Sequence, residues 1–168
     1  MVRFKSIACA AIAVIALAVH PGGASAQTSG LGGDGYTRTM WRGTDGSISI
    51  WKLDPALNFV GLHNYGPYAG AVPVALITTA NNNSYVLWNF TDGTANIWVL
   101  DANLNFITGS NFGPIADWTA VGLSLDVNGN FGLVWKSSLG QLALWTINAA
   151  LNVIASSAVY GPFFGWSN

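Results

Sequence analysis

Glutamate is absent from this 168-residue chain, cysteine occurs once, and charged residues make up only 8% of it. Each scarcity removes a class of chemistry. The cysteine, Cys9, sits in an apolar N-terminal stretch with the features of an export signal. Once that stretch is removed the protein has no disulfide and must be held by packing alone. A carboxylate pair for glycoside hydrolysis would have to come from two aspartates. Beyond the N-terminal stretch one histidine remains, His63, with nothing local to build a Ser–His–Asp arrangement or a three-ligand zinc site around it. It reads as a polar strand residue. The chain is therefore expected not to be an enzyme and to carry no metal or other cofactor.

The N-terminal stretch has Arg3 and Lys5 as its positive head and an apolar run from Ile7 to Val19. Ala24-Ser25-Ala26 then offers the small-x-small pattern of a cleavage site. The run is shorter than the roughly 20 residues a membrane span needs. Residues 1–26 are thus expected to be a signal peptide, giving a secreted or periplasmic protein that starts at Gln27 and has no membrane span after cleavage. Cys9 opens the apolar run instead of following it, which argues against a lipoprotein anchor. The mature part carries Arg38, Arg42, Lys52 and Lys136 against seven aspartates, a net charge of −3. Four scattered cations form no stripe for a phosphate backbone, so nucleic acid is not an expected partner. The remaining ~140 residues suit one domain with a sizeable core. The Gly- and Ser-rich residues 27–35 read as a flexible lead-in.

What the chain does have is tryptophan, and it recurs. Trp41 is followed by Asp45-Gly46, Trp51, Leu53-Asp54, Leu57-Asn58 and Gly66-Pro67. Trp88 is followed by Asp92-Gly93, Trp98, Leu100-Asp101, Leu104-Asn105 and Gly113-Pro114. Trp135 is followed by Gly140, Trp145, Leu151-Asn152 and Gly161-Pro162. The steps from 41 to 88 and from 88 to 135 are both 47 residues. A fixed period of that length is the signature of a repeat architecture. The domain 36–168 divides into units 36–82, 83–129 and 130–168.

Each unit holds short runs rich in Val, Ile, Trp and Phe, separated by Asp-Gly, Asn-Gly and Gly-Pro, which are strand and hairpin signals. In the middle unit these are Ser84 to Phe90, Ala95 to Leu100, Phe106 to Phe112 and Trp118 to Leu125. No segment shows helical spacing over three turns, so the fold class is all-β. The second run is apolar on both faces: Ala95, Ile97 and Val99 on one, Trp98 and Leu100 on the other. In the last unit Leu142 and Leu144 oppose Ala143, Trp145 and Ile147. Strands of that kind lie in sheets covered on both sides, as in the stacked four-stranded blades of a propeller. The six recurring tryptophans read as packing between sheets, since buried aromatics of this size dominate core energetics.

The third unit stops at Trp166-Ser167-Asn168, where its fourth strand should begin, so it is expected to be an incomplete blade. Three blades do not close a ring and leave exposed sheet ends. Two copies forming a six-bladed ring would close it, making a homo-oligomer one expectation. A threefold β-trefoil or β-prism is the alternative.

Leu125 to Asn148, LDVNGNFGLVWKSSLGQLALWTIN, resembles the blades of secreted bacterial propeller repeats of the FG-GAP or VCBS type, and the other two units resemble them more loosely. The resemblance implies a propeller-like, tryptophan-rich repeat protein and a calcium-binding turn. This chain departs from that turn. Asp126, Asn128 and Asn130 keep the spacing with one carboxylate, Val134 stands where a later acidic ligand is expected, and Thr79, Asn81 and Asn83 have none. Calcium prefers several carboxylate oxygens, so these turns read as ordinary hairpins.

Asp45 with Asp92, and Asp54 with Asp101, recur at turn positions where Asp is favoured for its local backbone hydrogen bonds. Recurrence in every unit is what folding requires, whereas a catalytic pair would occur once. The functional reading is a non-enzymatic glycan-binding module. Its candidate residues are the aromatics near the Gly-Pro turns, Tyr65, Tyr68, Trp118, Tyr160, Phe163 and Trp166, whose rings could stack on sugar faces while Asp and Asn bond hydroxyls. Glycans or a cell-surface polymer are then the partners. The alternative is a structural or adhesive module that self-assembles through open blade edges, and a third possibility is a fragment of a larger propeller.

Overall fold

A computed structural model describes residues 25–164. Residues 1–24 of the expected signal peptide, and Trp166, lie outside the described residues. The described chain is a succession of strands: β1 Ser25–Leu31, β2 Thr37–Arg42, β3 Ile48–Leu53, β4 Phe59–Tyr65, β5 Ala71–Thr78, β6 Ser84–Phe90, β7 Ala95–Leu100, β8 Phe106–Phe112, β9 Trp118–Leu125, β10 Phe131–Ser137, β11 Leu142–Ile147 and β12 Ile154–Tyr160. They form three four-stranded sheets, each an antiparallel meander in chain order: β1 to β4, β5 to β8 and β9 to β12.

The turns explain themselves chemically. Asp54 Oδ1 accepts the backbone N–H groups of Ala56 at 2.9 Å and Asn58 at 2.8 Å, while its Oδ2 accepts Asn58 Nδ2 at 2.9 Å. Asp101 closes the β7–β8 turn the same way with Asn103 and Asn105, and Asp126 closes the β9–β10 turn with Asn128 and Asn130. Asn148 and Asn152 make the amide version at the β11–β12 turn. The calcium-like spacing at Asp126 thus serves a hairpin whose carboxylate oxygens accept amide hydrogens.

Two expectations are corrected. The third blade is complete, because each sheet takes its first strand from what the sequence shows as the last run of the preceding unit. The first sheet takes its own first strand mostly from the supposed flexible lead-in 27–35, since β1 runs from residue 25, within the expected signal peptide, to residue 31. Blade boundaries therefore fall at the Gly-Pro links, ahead of the unit boundaries at 82/83 and 129/130. The glycines that suggested flexibility instead permit close approach. A Cβ on Gly30 would lie 2.5 Å from the Thr78 nitrogen, and one on Gly33 would lie 2.0 Å from the Ala80 carbonyl oxygen. Only a backbone without side chains fits β1 and its turn against β5 and the β5–β6 turn.

The first strands lie together, β5 against both β1 and β9, and the fourth strands lie outermost, with β12 exposed throughout. Two separate cores occupy opposite faces of the middle sheet. Its rearward face, toward the first sheet, brings Trp88, Leu100 and Leu104 against Met40, Ile48 and Ile50. Its forward face brings Leu87, Ala95, Ile97 and Phe112 against Trp135, Ala143, Ile147 and Leu151. A trefoil or prism would gather its sheets around one shared core; separate cores between successive sheets are blade packing.

Register decides which face each tryptophan takes. Trp41 pairs with Ser49 and Trp51 with Thr39, so the two indoles are diagonal neighbours on one face, 5.5 Å between centroids. Trp88 with Trp98 and Trp135 with Trp145 repeat this at 5.0 and 5.1 Å. In the second and third sheets the pair faces the preceding sheet. A leucine from the β7–β8 and β11–β12 turns joins it: Leu104, 2% exposed, and Leu151, 4% exposed. Both leucines hold left-handed backbone, φ 69° and 57°. That conformation costs a non-glycine residue about 1–2 kcal/mol, which burying a leucine, about 1.5–3 kcal/mol, offsets. Leu57 has the same conformation in the β3–β4 turn, φ 63°, but is 67% exposed.

Candidate functional site

The turns β2–β3, β6–β7 and β10–β11 and the Gly-Pro links between sheets all lie at one end of the blades. All three Gly–Pro bonds there, at Pro67, Pro114 and Pro162, are cis. Backbone bonds tie each link to the turn of the following blade: Thr91 N–H donates to the Gly70 carbonyl at 3.0 Å, and Ser138 N–H to the Asp117 carbonyl at 2.9 Å. Between the second and third sheets this end opens into a cleft of about 630 Å³. It is walled by Phe90 to Gly93 of the β6–β7 turn, Ile115 to Thr119 of the link, and Lys136 to Ser138 at the end of β10.

The groups around this cleft combine one indole with several polar functions. Trp118 is half-buried, with its other side on the core between the two sheets. Asp92 accepts the Thr94 N–H at 2.8 Å, and that hydrogen bond holds its carboxyl below the ordinary carboxylate range. Asp117 is exposed and in left-handed backbone at φ 65°. Asn89 clamps the floor: its amide donates to the Ala120 carbonyl and its Oδ1 accepts the Ala120 N–H at 3.1 Å. Ser137 is a turn residue, its Oγ accepting the N–H groups of Leu139 and Gln141 at 3.2 and 3.0 Å. Carboxylates, hydroxyls and the Trp118 indole in an open cleft suit reversible binding of a polar, ring-shaped molecule.

The expected binding aromatics meet different fates. Trp118 lines the cleft. Tyr65 is half-buried between the first and second sheets, donates its hydroxyl to the Leu104 carbonyl, and lies edge-on to Trp98 at 5.5 Å. His63 stacks on it at 4.5 Å, and burial raises the phenol pKa. Tyr68 covers the Trp88–Trp98 pair edge-on at 5.7 and 5.3 Å. Phe163 is exposed and hydrogen-bonded through its N–H to the Gly140 carbonyl at 2.9 Å. Tyr160 is exposed at the end of β12. The structure therefore gathers Trp118 with polar residues, not with the other four candidates among the described residues.

Asp117 and Lys136 were not among the sequence candidates, yet a signal for Asp117 was there. The Asp117-Trp118 pair stands 47 residues after Gly70-Ala71 and breaks the repeat. Gly70 and Asp117 share left-handed backbone, φ 74° and 65°, so an aspartate occupies a position where the preceding unit uses the glycine that such backbone favours.

No family model matches the chain, and no curated protein sequence matches it. Solved structures do resemble it. The Dos1 propeller superposes with a TM-score of 0.57 at 11% identity, over 80% of this chain and 37% of that one. A protein of unknown function from Bacteroides caccae gives 0.54 at 9% identity, over 82% and 46%. The SapL1 lectin, solved in complex with α-methyl fucoside, gives 0.51 at 16% identity, over 83% and 46%. The chain thus spans about half or less of the length of the structures it resembles. With three meander sheets stacked face to face, the protein is an all-β chain of three propeller-like blades.

Proposed function

We propose that this protein is a non-enzymatic, exported glycan-binding module whose site is the cleft between the second and third blades. One observation carries the reading: Asp117-Trp118, which breaks the 47-residue repeat, places an indole beside the carboxylates and hydroxyls of that cleft. A sugar presents an apolar face of C–H groups and an equatorial rim of hydroxyls. The ring of Trp118 suits the first, and Asp92, Asp117 and Ser138 suit the second. A lectin among the structural neighbours supports the sugar class, and the FG-GAP or VCBS likeness supports export. The calcium role that this likeness carries has no place in the reading, since the Asp126 turn is closed by its own amides.

Glycan-array screening followed by calorimetry tests this. The wild-type chain binds a neutral glycan, Trp118→Ala weakens it by about 10-fold or more, the loss expected when an aromatic stacking partner worth about 1.5 kcal/mol is removed, and Asp117→Asn weakens it without unfolding. Tyr68→Ala, remote from this cleft, leaves affinity unchanged. A folded chain that binds no glycan, or binding indifferent to Trp118, sinks the proposal.

A further inference from the structure

The two internal junctions are built from one repeated set of positions. A forward face offers residues 40, 48 and 50, or 47 positions later 87, 95 and 97; the next blade answers with its tryptophan pair and its turn leucine. The same set appears twice more, on the two faces that no junction covers among the described residues. The rearward face of the first blade bears Trp41, Trp51 and Leu57; Trp41 is half-buried, where its counterparts Trp88 and Trp135 are fully buried. The forward face of the third blade bears Val134, Leu142 and Leu144. Leu144 is 43% exposed, where its counterparts Ile50 and Ile97 are fully buried. Tyr160 is 50% exposed on that same face, whereas its counterpart Phe112 is buried at the second junction.

We propose that these faces meet each other: the forward face of one chain's third blade docks on the rearward face of a second copy's first blade, twice, closing a six-bladed ring. Three features select a second copy as the occupant. The two faces are the complementary halves of a junction the chain already makes twice. Rings have four to eight blades, and six is the multiple of three in that range. Leu57 holds the left-handed backbone of Leu104 and Leu151 without their burial, and docking supplies it. The contact is heterologous, head to tail, and closes because two copies complete the circle.

Light scattering on the purified chain, with two charge variants at exposed positions, tests this. The wild type is expected to have the mass of two chains. Leu57→Lys and Leu144→Asp each place a charge in both junctions and are each expected to raise the dissociation constant by about 100-fold, since an unpaired charge is buried. Mixing the two variants restores a dimer, because one junction then contains neither substitution and the other opposes Lys to Asp. A single-chain mass, a trimer or fibre, a dimer indifferent to either variant, or no recovery on mixing overturns the proposal. A face-to-face dimer would respond to only one variant. Near-native circular dichroism of each variant shows that loss of the dimer is not loss of the fold.

Discussion

Arg38 Nη1 lies 2.6 Å from Asp34 Oδ1, and the arginine side chain is fully buried while the aspartate is 23% exposed. Nη2 meets Asp34 Oδ2 at 2.7 Å and the Ala102 carbonyl at 3.3 Å. Lys52 Nζ reaches the same carbonyl at 3.1 Å and lies 3.7 Å from Asp34. Asp34 N–H donates to Asn82 Oδ1 at 2.8 Å. This once-only cluster fastens the first blade to two turns of the second.

Removing the carboxylate alone strands a buried cation. Asp34→Ala is expected to cost about 3 kcal/mol, a fall in Tm of roughly 10 °C for a domain of this size. Replacing both partners, Asp34→Ala with Arg38→Met, recovers much of that loss, because no charge is left buried. Thermal melts of the three proteins check the order.

Acid acts through the same group. The Arg38 hydrogen bond holds Asp34 down from its ordinary 3.8 to about 2. A carboxyl with a depressed folded-state pKa stabilises the fold above its unfolded pKa and loses that contribution as pH falls through the folded one. Asp54, Asp92, Asp101 and Asp126 are shifted in the same direction by their turn hydrogen bonds. Denaturant midpoints should therefore drop between about pH 4 and pH 2, less steeply in Asp34→Ala. A fold that gains stability on acidification would contradict this assignment.

The turn leucines offer an internal control. Leu104→Ala empties a buried site and is expected to cost about 3 kcal/mol. Leu57→Ala, at the equivalent exposed turn, is expected to cost under about 0.5 kcal/mol at concentrations where the chain is single. Urea titrations of the two variants measure the difference directly.

Chelation should leave the protein unmoved. The Asp126 carboxylate bonds the Asn128 and Asn130 amides, so EDTA or added calcium is expected not to shift Tm, whereas Asp126→Ala lowers it by loosening the hairpin. A chelator-induced fall would assign an ion to that turn.

The 47-residue spacing of Trp41, Trp88 and Trp135, and the two-faced apolar strands around Ala95 and Leu142, were sufficient by themselves to indicate stacked four-stranded sheets. Strand identity is local chemistry, and Asp-Gly, Asn-Gly and the Asp54-type turns carry it in adjacent residues. Where a blade starts is not local. The fit of β1 and its turn against β5 and the β5–β6 turn depends on contacts between residues about fifty positions apart, Gly30 with Thr78 and Gly33 with Ala80, so the glycines of 30 to 35 looked like a linker. The direction of each tryptophan pair was equally hidden, because one residue of register would turn it to the other face. The same holds for Trp118 and Tyr65, both aromatics near Gly-Pro links. Only the packing of successive sheets decided that Trp118, at the start of β9, borders an open cleft and that Tyr65, at the end of β4, is enclosed between blades. Sequence determined the repeated parts, since recurring short-range chemistry repeats in the text. Tertiary structure decided which copies of a face are covered and which stand open, since burial belongs to the neighbour and not to the residue.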